Sequence, residues 1–323
     1  TTTTDNNGYY NFKYKTTTIG LNNITVTYNG NEVYEQSTNM TSFITQKLDV
    51  KIILTKINST VGEDIILNAT FIDEYGNYIN GGNMVFKING ITLKSDDSFN
   101  KTAPVMKFNV NNGSVCKVIV ATIYIRDAKN LTATYSGSSI YNGCTSNVSV
   151  VDIAKRYANV SINVNTKILN QGDKLEITAS INDITPKSDR SLIDEGGYIM
   201  IKVDGCTLKD KNGNQLKIKV ENNKAQYIYE LPYPMKAKTT DGKNIDHEVI
   251  VIYTNNNYYP TARSNMTFNV NLAPTSIINT NAVVNKTSHT LSLNATIYDT
   301  YNCKTISGGV EYILKINDKT LKD

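Results

Sequence analysis

Tryptophan is absent from this chain of 323 residues, histidine occurs twice, cysteine four times and proline six times. Only 19 % of its residues are charged, and the net charge is +4. Each shortage excludes something. The two histidines, His247 and His289, stand apart with no recurring acidic or serine partner, so a histidine-based triad has too little material; both are expected in surface loops. No nucleophile-elbow glycine pattern, zinc-protease helix motif or phosphate-binding glycine loop occurs. Lysines are scattered among acids and form no basic stripe, which disfavours capture of nucleic acid. No apolar run approaches the roughly 20 residues of a membrane span, and no charged-then-apolar leader opens the stretch. An exported protein would carry its address and anchor outside it. Low charge beside 40 % hydrophobic residues also excludes a disordered tail or a coiled coil.

What is abundant is Asn, Thr, Ile, Lys and Tyr, with 21 tyrosines. Strand formers are thus mixed with turn-forming Asn. Two phrases recur at long period. In the first, a strand-like run ends in a tyrosine and a second tyrosine follows six residues later: Tyr28 and Tyr34, Tyr135 and Tyr141, Tyr253 and Tyr259. In the second, "LNATFID" (67–73), "ITASIND" (177–183) and "LNATIYD" (293–299) share apolar, any, Ala, Ser or Thr, apolar, any, Asp. Each is followed by a glycine pair, Gly81–Gly82, Gly196–Gly197 and Gly308–Gly309, and then by a hairpin with Asn-Gly, Asp-Gly or Asn-Asp at its turn. Those dipeptides suit a two-residue turn with positive φ.

Alternation places Leu67, Ala69 and Phe71 on one face of a strand and Asn68 and Thr70 on the other. By the same reasoning Ile24, Val26 and Tyr28, or Leu131, Ala133 and Tyr135, face inward. Val148 and Val150, or Met266, Phe268 and Val270, are expected inward on the return strand. The tyrosines are expected to pack on the core with their hydroxyls reaching a loop carbonyl. Nothing shows a sustained helical period. The fold class is therefore all-β, in tandem sandwich modules.

Boundaries set after each closing phrase give modules at 47–152 and 153–271, joined by "VVDIAKRY" (150–157) and "VNLAPTS" (270–276). Residues 1–46 read as the C-terminal part of one module and 272–323 as the N-terminal part of another; together they match about one module in length. A half sandwich leaves an apolar face and strand edges in water. Either a longer array supplies the missing halves, or neighbouring molecules complete each other head to tail.

The phrases "TATYSGSSIYNGCTSNVSV" and "LNATFIDEYGNYINGG" resemble the bacterial-type Ig-like repeats of archaeal, methanogen adhesin-like surface proteins, and the likeness runs along essentially the whole chain. The resemblance implies tandem Ig-like β-sandwiches in a secreted, often glycosylated cell-surface protein with an adhesive or structural role. It specifies no ligand. The expected reading is a non-enzymatic, extracellular stalk or fibre, with neighbouring modules or subunits as partners and no cofactor. Two rivals stand beside it. One is a filament subunit whose end pieces complete each other. The other is a module that binds cell-surface glycans or host or microbial surface proteins through the loops 184–197 and 230–248, favoured if Tyr198, Tyr227, Tyr229 and Tyr233 are exposed.

No catalytic, cofactor or metal site is assigned. Glu63, Asp64, Asp73, Glu74, Asp96 and Asp97 lack the spacing of a calcium loop and read as solvated turn acids. Cys116, Cys144, Cys206 and Cys303 fall at inequivalent places in the repeats; Cys116 and Cys144 are the one pair on predicted strands of a single module. Lys51 or Lys56, Asn147 and Asp73 are the residue types of an intramodular Lys–Asn cross-link. Twelve Asn-X-Ser/Thr sequons place candidate glycans on Asn23, Asn39, Asn58, Asn68, Asn100, Asn112, Asn130, Asn147, Asn159, Asn265, Asn285 and Asn294, a mild excess over chance. Asn68, Asn147, Asn265 and Asn294 are expected on the outward side of their strands.

Overall fold

The computed structural model describes residues 3–321 apart from 101, 256 and 310. Thr1, Thr2, Lys101, Asn256, Val310, Lys322 and Asp323, which belong to the phrases and pieces above, lie outside the described residues. The chain divides between Lys155 and Arg156 into two units.

The first unit opens with a lone antiparallel hairpin, β1 (Gly20–Tyr28) and β2 (Ser37–Thr45). A sandwich follows. Its strands are β3 (Val50–Leu54), β4 (Ile57–Thr60), β5 (Asp64–Asp73), β6 (Asn83–Ile88), β7 (Ile91–Thr92), β8 (Phe108–Asn109), β9 (Ser114–Val120), β10 (Asn130–Tyr135), β11 (Cys144–Thr145) and β12 (Ser149–Ala154). One sheet has the order β3–β5–β9 and the other β4–β12–β10–β6–β7, with β8 beside β6 and β11 beside β10. The only described helix is α1 (Ile123–Asp127), so no described helix is long and apolar enough to cross a membrane.

Period-two alternation builds this core as expected. Leu67, Ala69 and Phe71 of β5 are fully buried, and so are Phe86 and Ile88 of β6 and Leu131 and Ala133 of β10. Each large aliphatic or aromatic side chain so buried contributes roughly 1.5–3 kcal/mol. At the β6–β7 turn Asn89 and Gly90 both have positive φ, 46° and 80°. That is the backbone a two-residue hairpin requires.

The second unit repeats the plan with β13 (Ala158–Val164), β14 (Ile168–Leu169), β15 (Lys174–Asp183), β16 (Tyr198–Val203), β17 (Cys206–Thr207), β18 (Ile218–Lys219), β19 (Lys224–Glu230), β20 (His247–Asn255) and β21 (Tyr259–Val270). The orders are β13–β15–β19 and β14–β21–β20–β16–β17, with β18 beside β16. In both sandwiches the opening strand changes sheets partway: β4 and β14 leave the small sheet to pair in parallel with the closing strands β12 and β21. Beyond it lie β22 (Thr275–Asn285), β23 (Thr290–Asp299) and β24 (Lys304–Thr305) in one sheet, and the hairpin β25 (Lys315–Ile316) with β26 (Lys319–Thr320). The chain is an all-β array of Ig-like sandwich modules.

Three local expectations need correction. "VVDIAKRY" is a connection only over 155–157: β12 runs to Ala154 and β13 starts at Ala158. Val148 and Val150 are 60 % and 52 % exposed, while Val151 and Ile153 are buried. The ladder from β11 breaks before β12, where the Ser146 hydroxyl, not a backbone carbonyl, accepts from the Ala133 N–H, and one residue of slip exchanges the faces of a strand. Finally, the hairpin β1–β2 has Ile24, Val26 and Tyr28 in water at 43–52 % exposure, because no described sheet covers it.

Candidate functional site

The recurring tyrosine and the recurring glycine pair meet. Tyr135, at the end of β10, is buried and its hydroxyl donates to the Gly81 carbonyl at 2.9 Å. Tyr253 of β20 does the same with the Ile193 carbonyl at 3.1 Å. The second glycine of each pair is required by this approach. A Cβ on Gly82 would sit 2.5 Å from the Tyr135 hydroxyl oxygen, and one on Gly197 would sit 2.6 Å from the Ile193 carbonyl oxygen and 2.7 Å from the Tyr253 hydroxyl oxygen. Burial pushes both phenols above 10, Tyr253 to about 12. These hydroxyls are therefore neutral donors locking a loop to the sheet.

The loop 184–197 is held by an ionic cluster that the sequence patterns do not show. Arg156 is fully buried, and its guanidinium reaches Asp183 Oδ2 at 2.8 Å, the Ser188 hydroxyl and the Arg190 carbonyl. The Tyr259 hydroxyl donates to Asp183 Oδ2 at 2.6 Å and accepts the Leu192 N–H at 2.9 Å. Burial by itself would raise the Asp183 carboxyl, but hydrogen bonds from Thr185, Tyr259 and Arg156 outweigh it and hold the pKa below 3.8. A signal was present: Arg156 is one of four arginines in a lysine-rich chain, and the planar guanidinium suits a buried pair that Lys does not.

The added stretch 230–248 is occupied too. His247 is not a loop residue; it lies in β20, 5 % exposed, with its ring nitrogens 2.8 Å from Asp204 Oδ2 and 2.8 Å from the Lys236 carbonyl, stacked on Phe268. His289, by contrast, is exposed between β22 and β23. Gln171 donates to the Met235 carbonyl at 2.7 Å and accepts the Met235 N–H at 2.8 Å. The Tyr233 hydroxyl donates to Asp299 Oδ2 at 2.8 Å, Asn302 Nδ2 to the Gln171 carbonyl at 2.9 Å, and the Tyr301 hydroxyl to Asp173 Oδ1 at 2.9 Å. Within this unit the stretch therefore works as a joint to the β22–β24 piece. Tyr198, Tyr227, Tyr229 and Tyr233 are all half-buried, and Tyr227 and Tyr229 pack on the core.

Acid is expected to loosen that joint. The backbone N–H of Asn302, helped by the Asn302 and Tyr233 side chains and the Tyr301 N–H, holds the Asp299 carboxyl at about 2, below the usual 3.8. A folded pKa below the unfolded one means stability that is complete above the unfolded value and lost as pH falls through the folded one. Amide exchange in 230–248 and 299–302 should therefore accelerate as pH falls from about 4 to 2, after correction for intrinsic rates, and Asp299→Asn should remove that step.

The other residues singled out in the sequence scatter. Cys116 is exposed on the small sheet and Cys144 lies in the opposite one; all four cysteines are free thiols, so Cys116 and Cys144 are not joined. Lys51, Lys56 and Asn147 are exposed, and Asp73 is 5 % exposed and capping its own turn through the N–H groups of Tyr75 and Asn77, so the cross-linking trio is not assembled. Asp97 pairs with Lys117 at 2.7 Å. Among the described residues no three His, Cys, Asp or Glu side chains gather where a metal ion would need them. Asn68 is half-buried on β5; Asn23, Asn39, Asn58, Asn100, Asn112, Asn130, Asn147, Asn159, Asn265, Asn285 and Asn294 are exposed.

No protein-family model matches the chain, and no curated protein matches it. Solved structures similar to it include a 1.5-MDa bacterial ice-binding adhesin (10 % identity, 78 % of this chain and 74 % of that one, TM-score 0.30). Others are the ICAM-5 D1–D4 ectodomain fragment (8 %, 94 % and 81 %, 0.35) and domains A168–A170 of titin (10 %, 79 % and 75 %, 0.36). The fold assignment rests on the chain's own sheets.

Proposed function

We propose that the chain is part of an extracellular, adhesin-like or structural repeat protein that forms a stalk or fibre on a cell surface. The observation that carries this reading is the repetition of the tyrosine–glycine lock: in both complete sandwiches the recurring tyrosine crowds the second glycine of the pair and its hydroxyl donates to a loop carbonyl. Repeats selected for a common fold serve reach and mechanical continuity. The two loops most divergent between the modules are tied down by Arg156 and by Gln171, which leaves the glycan- or protein-binding rival without its exposed tyrosines. The resemblance of the recurring phrases to archaeal adhesin-like repeats supports the same reading, and exposed sequons are where a surface glycoprotein would carry its sugars.

The test is antibody labelling of the native protein on intact cells, with the intact mass of protein purified from the same source. Surface label and a mass above that of the polypeptide are expected. Label appearing only after lysis, on protein of bare polypeptide mass, would contradict the proposal.

A further inference from the structure

The small sheets of the two complete sandwiches turn different faces to water. On β5 the even-numbered residues from Asp64 to Ile72 point away from the core, as do Lys51 and Ile53 of β3 and the even-numbered residues of β9. Pairing sets Ile66 opposite Val118, Asn68 opposite Cys116, Thr70 opposite Ile53 and Asp64 opposite Val120. Ile53, Ile66, Val118 and Val120 are 47 %, 56 %, 49 % and 40 % exposed, and Cys116 is exposed among them. Apolar side chains gathered on one outer face mark a surface that something covers.

The second sandwich carries polar residues at the same places. With 177–183 matched to 67–73, Glu176 replaces Ile66, Ser161 replaces Ile53, Gln226 replaces Cys116 and Glu230 replaces Val120; Ile228 keeps the apolar character of Val118. Lys174 and Glu230 form an ion pair there at 2.9 Å. One further position changes with them. Thr178 stands where the first sandwich has Asn68, so a sequon in the middle strand, Asn68-Ala69-Thr70, goes with the apolar face. The sequon asparagine of the second small sheet, Asn159, lies near its end, opposite Asn182. Asn68 is central: Cys116 is directly across from it, and Ile66, Val118 and Ile53 are its neighbours along the strand and on the diagonals, roughly 7–8 Å away. Its carboxamide has no hydrogen-bond partner among the described residues, whereas Asn265 of β21 donates to Glu248 Oε1 at 2.6 Å.

We propose, resting on the surface-glycoprotein reading above, that Asn68 carries an N-linked glycan whose first sugars lie flat on Ile53, Ile66 and Val118 and cover the outer face of β3–β5–β9. Attachment joins Asn68 Nδ2 to the anomeric carbon of a phosphate-activated glycosyl donor. The donor's C1–O bond breaks, its phosphate leaves with the bonding pair, and the amide gives up one proton. A pyranose ring has C–H groups on its faces and hydroxyls around its rim, so one face takes apolar area out of water while the rim stays hydrated. The core is undisturbed, because Asn68 points away from the buried Leu67 and Ala69 on either side of it. A protein surface seated on the same patch would have to displace the glycan from its centre.

The test uses the full chain made in its own host, with sugars located by peptide mass mapping. A glycan on Asn68 is expected, with nuclear Overhauser contacts from its first sugars to the Ile53, Ile66 and Val118 methyls. Asn68→Gln should lower the melting temperature of the first sandwich by roughly 4–8 °C. Asn58→Gln, at an exposed sequon of the same sandwich, should leave it in place, and so should Thr70→Ser, which keeps the Asn68 sequon. Sugars on other sequons with Asn68 bare would overturn the proposal and leave the surface reading standing; no sugar on any sequon would overturn both. A glycan on Asn68 that makes no contact with those methyls, and whose loss does not change melting, would be solvated and would overturn the proposal as well.

Discussion

Replacing Gly82 by alanine should cost the first sandwich roughly 3–5 kcal/mol, from overpacking against a buried ring together with a strained positive φ. Gly82 has φ 79°, and the new Cβ would lie 2.5 Å from the Tyr135 hydroxyl oxygen and 2.6 Å from the Gly137 carbonyl oxygen. The comparison is Gly309→Ala. Gly309 has φ 68° but nothing within 4 Å, so only the backbone strain remains, about 1 kcal/mol. Urea unfolding should show the larger loss in one transition, assignable to residues 47–155 by amide exchange, with the second unit unchanged. Equal effects at the two glycines would mean that the tyrosine contact contributes little.

Arg156→Met should destabilise the second sandwich by about 3–5 kcal/mol, the range for removing one partner of a buried ion pair. The methionine fills most of the space, so the loss is electrostatic: Asp183, 8 % exposed at its side chain, keeps the Tyr259 and Thr185 donors but loses its counter-charge. The same change removes the guanidinium's bonds to the Ser188 hydroxyl and the Arg190 carbonyl, and loop 184–197 should become exchange-labile before the sheets do. Adding Asp183→Asn removes the stranded charge and should recover a large part of the stability. No recovery in the double variant would show that Arg156 acts through packing alone.

These two sites differ in how far the sequence disclosed them. The lock was half legible. Tyrosines and glycine pairs recur at one phase, and alternation put Leu67, Ala69, Phe71 and Tyr135 on the inner face, where they are. Each depends on local rules that act over a few residues: period two in strands, positive φ at Asn89–Gly90. That the ring rests on the glycines is a contact across 53 residues, beyond any local rule. The Arg156 clamp was not legible, because its partners lie 27 to 34 residues away and Arg156 sits in a stretch that reads as a polar connection. His247 misled for the same reason: its burial comes from Asp204, Lys236 and Phe268, none of them adjacent. The slip before β12 arises from a hydroxyl replacing a backbone bond, which a pattern of apolar residues does not record.

Pulling a single chain from end to end tests most directly whether each complete sandwich is a closed mechanical unit. Two unfolding events are predicted, each releasing about 110 residues at up to 3.3–3.6 Å apiece, on the order of 35–40 nm, while an unpartnered end piece lengthens without a force peak. One event spanning the whole length, or a ladder of smaller steps, would contradict it.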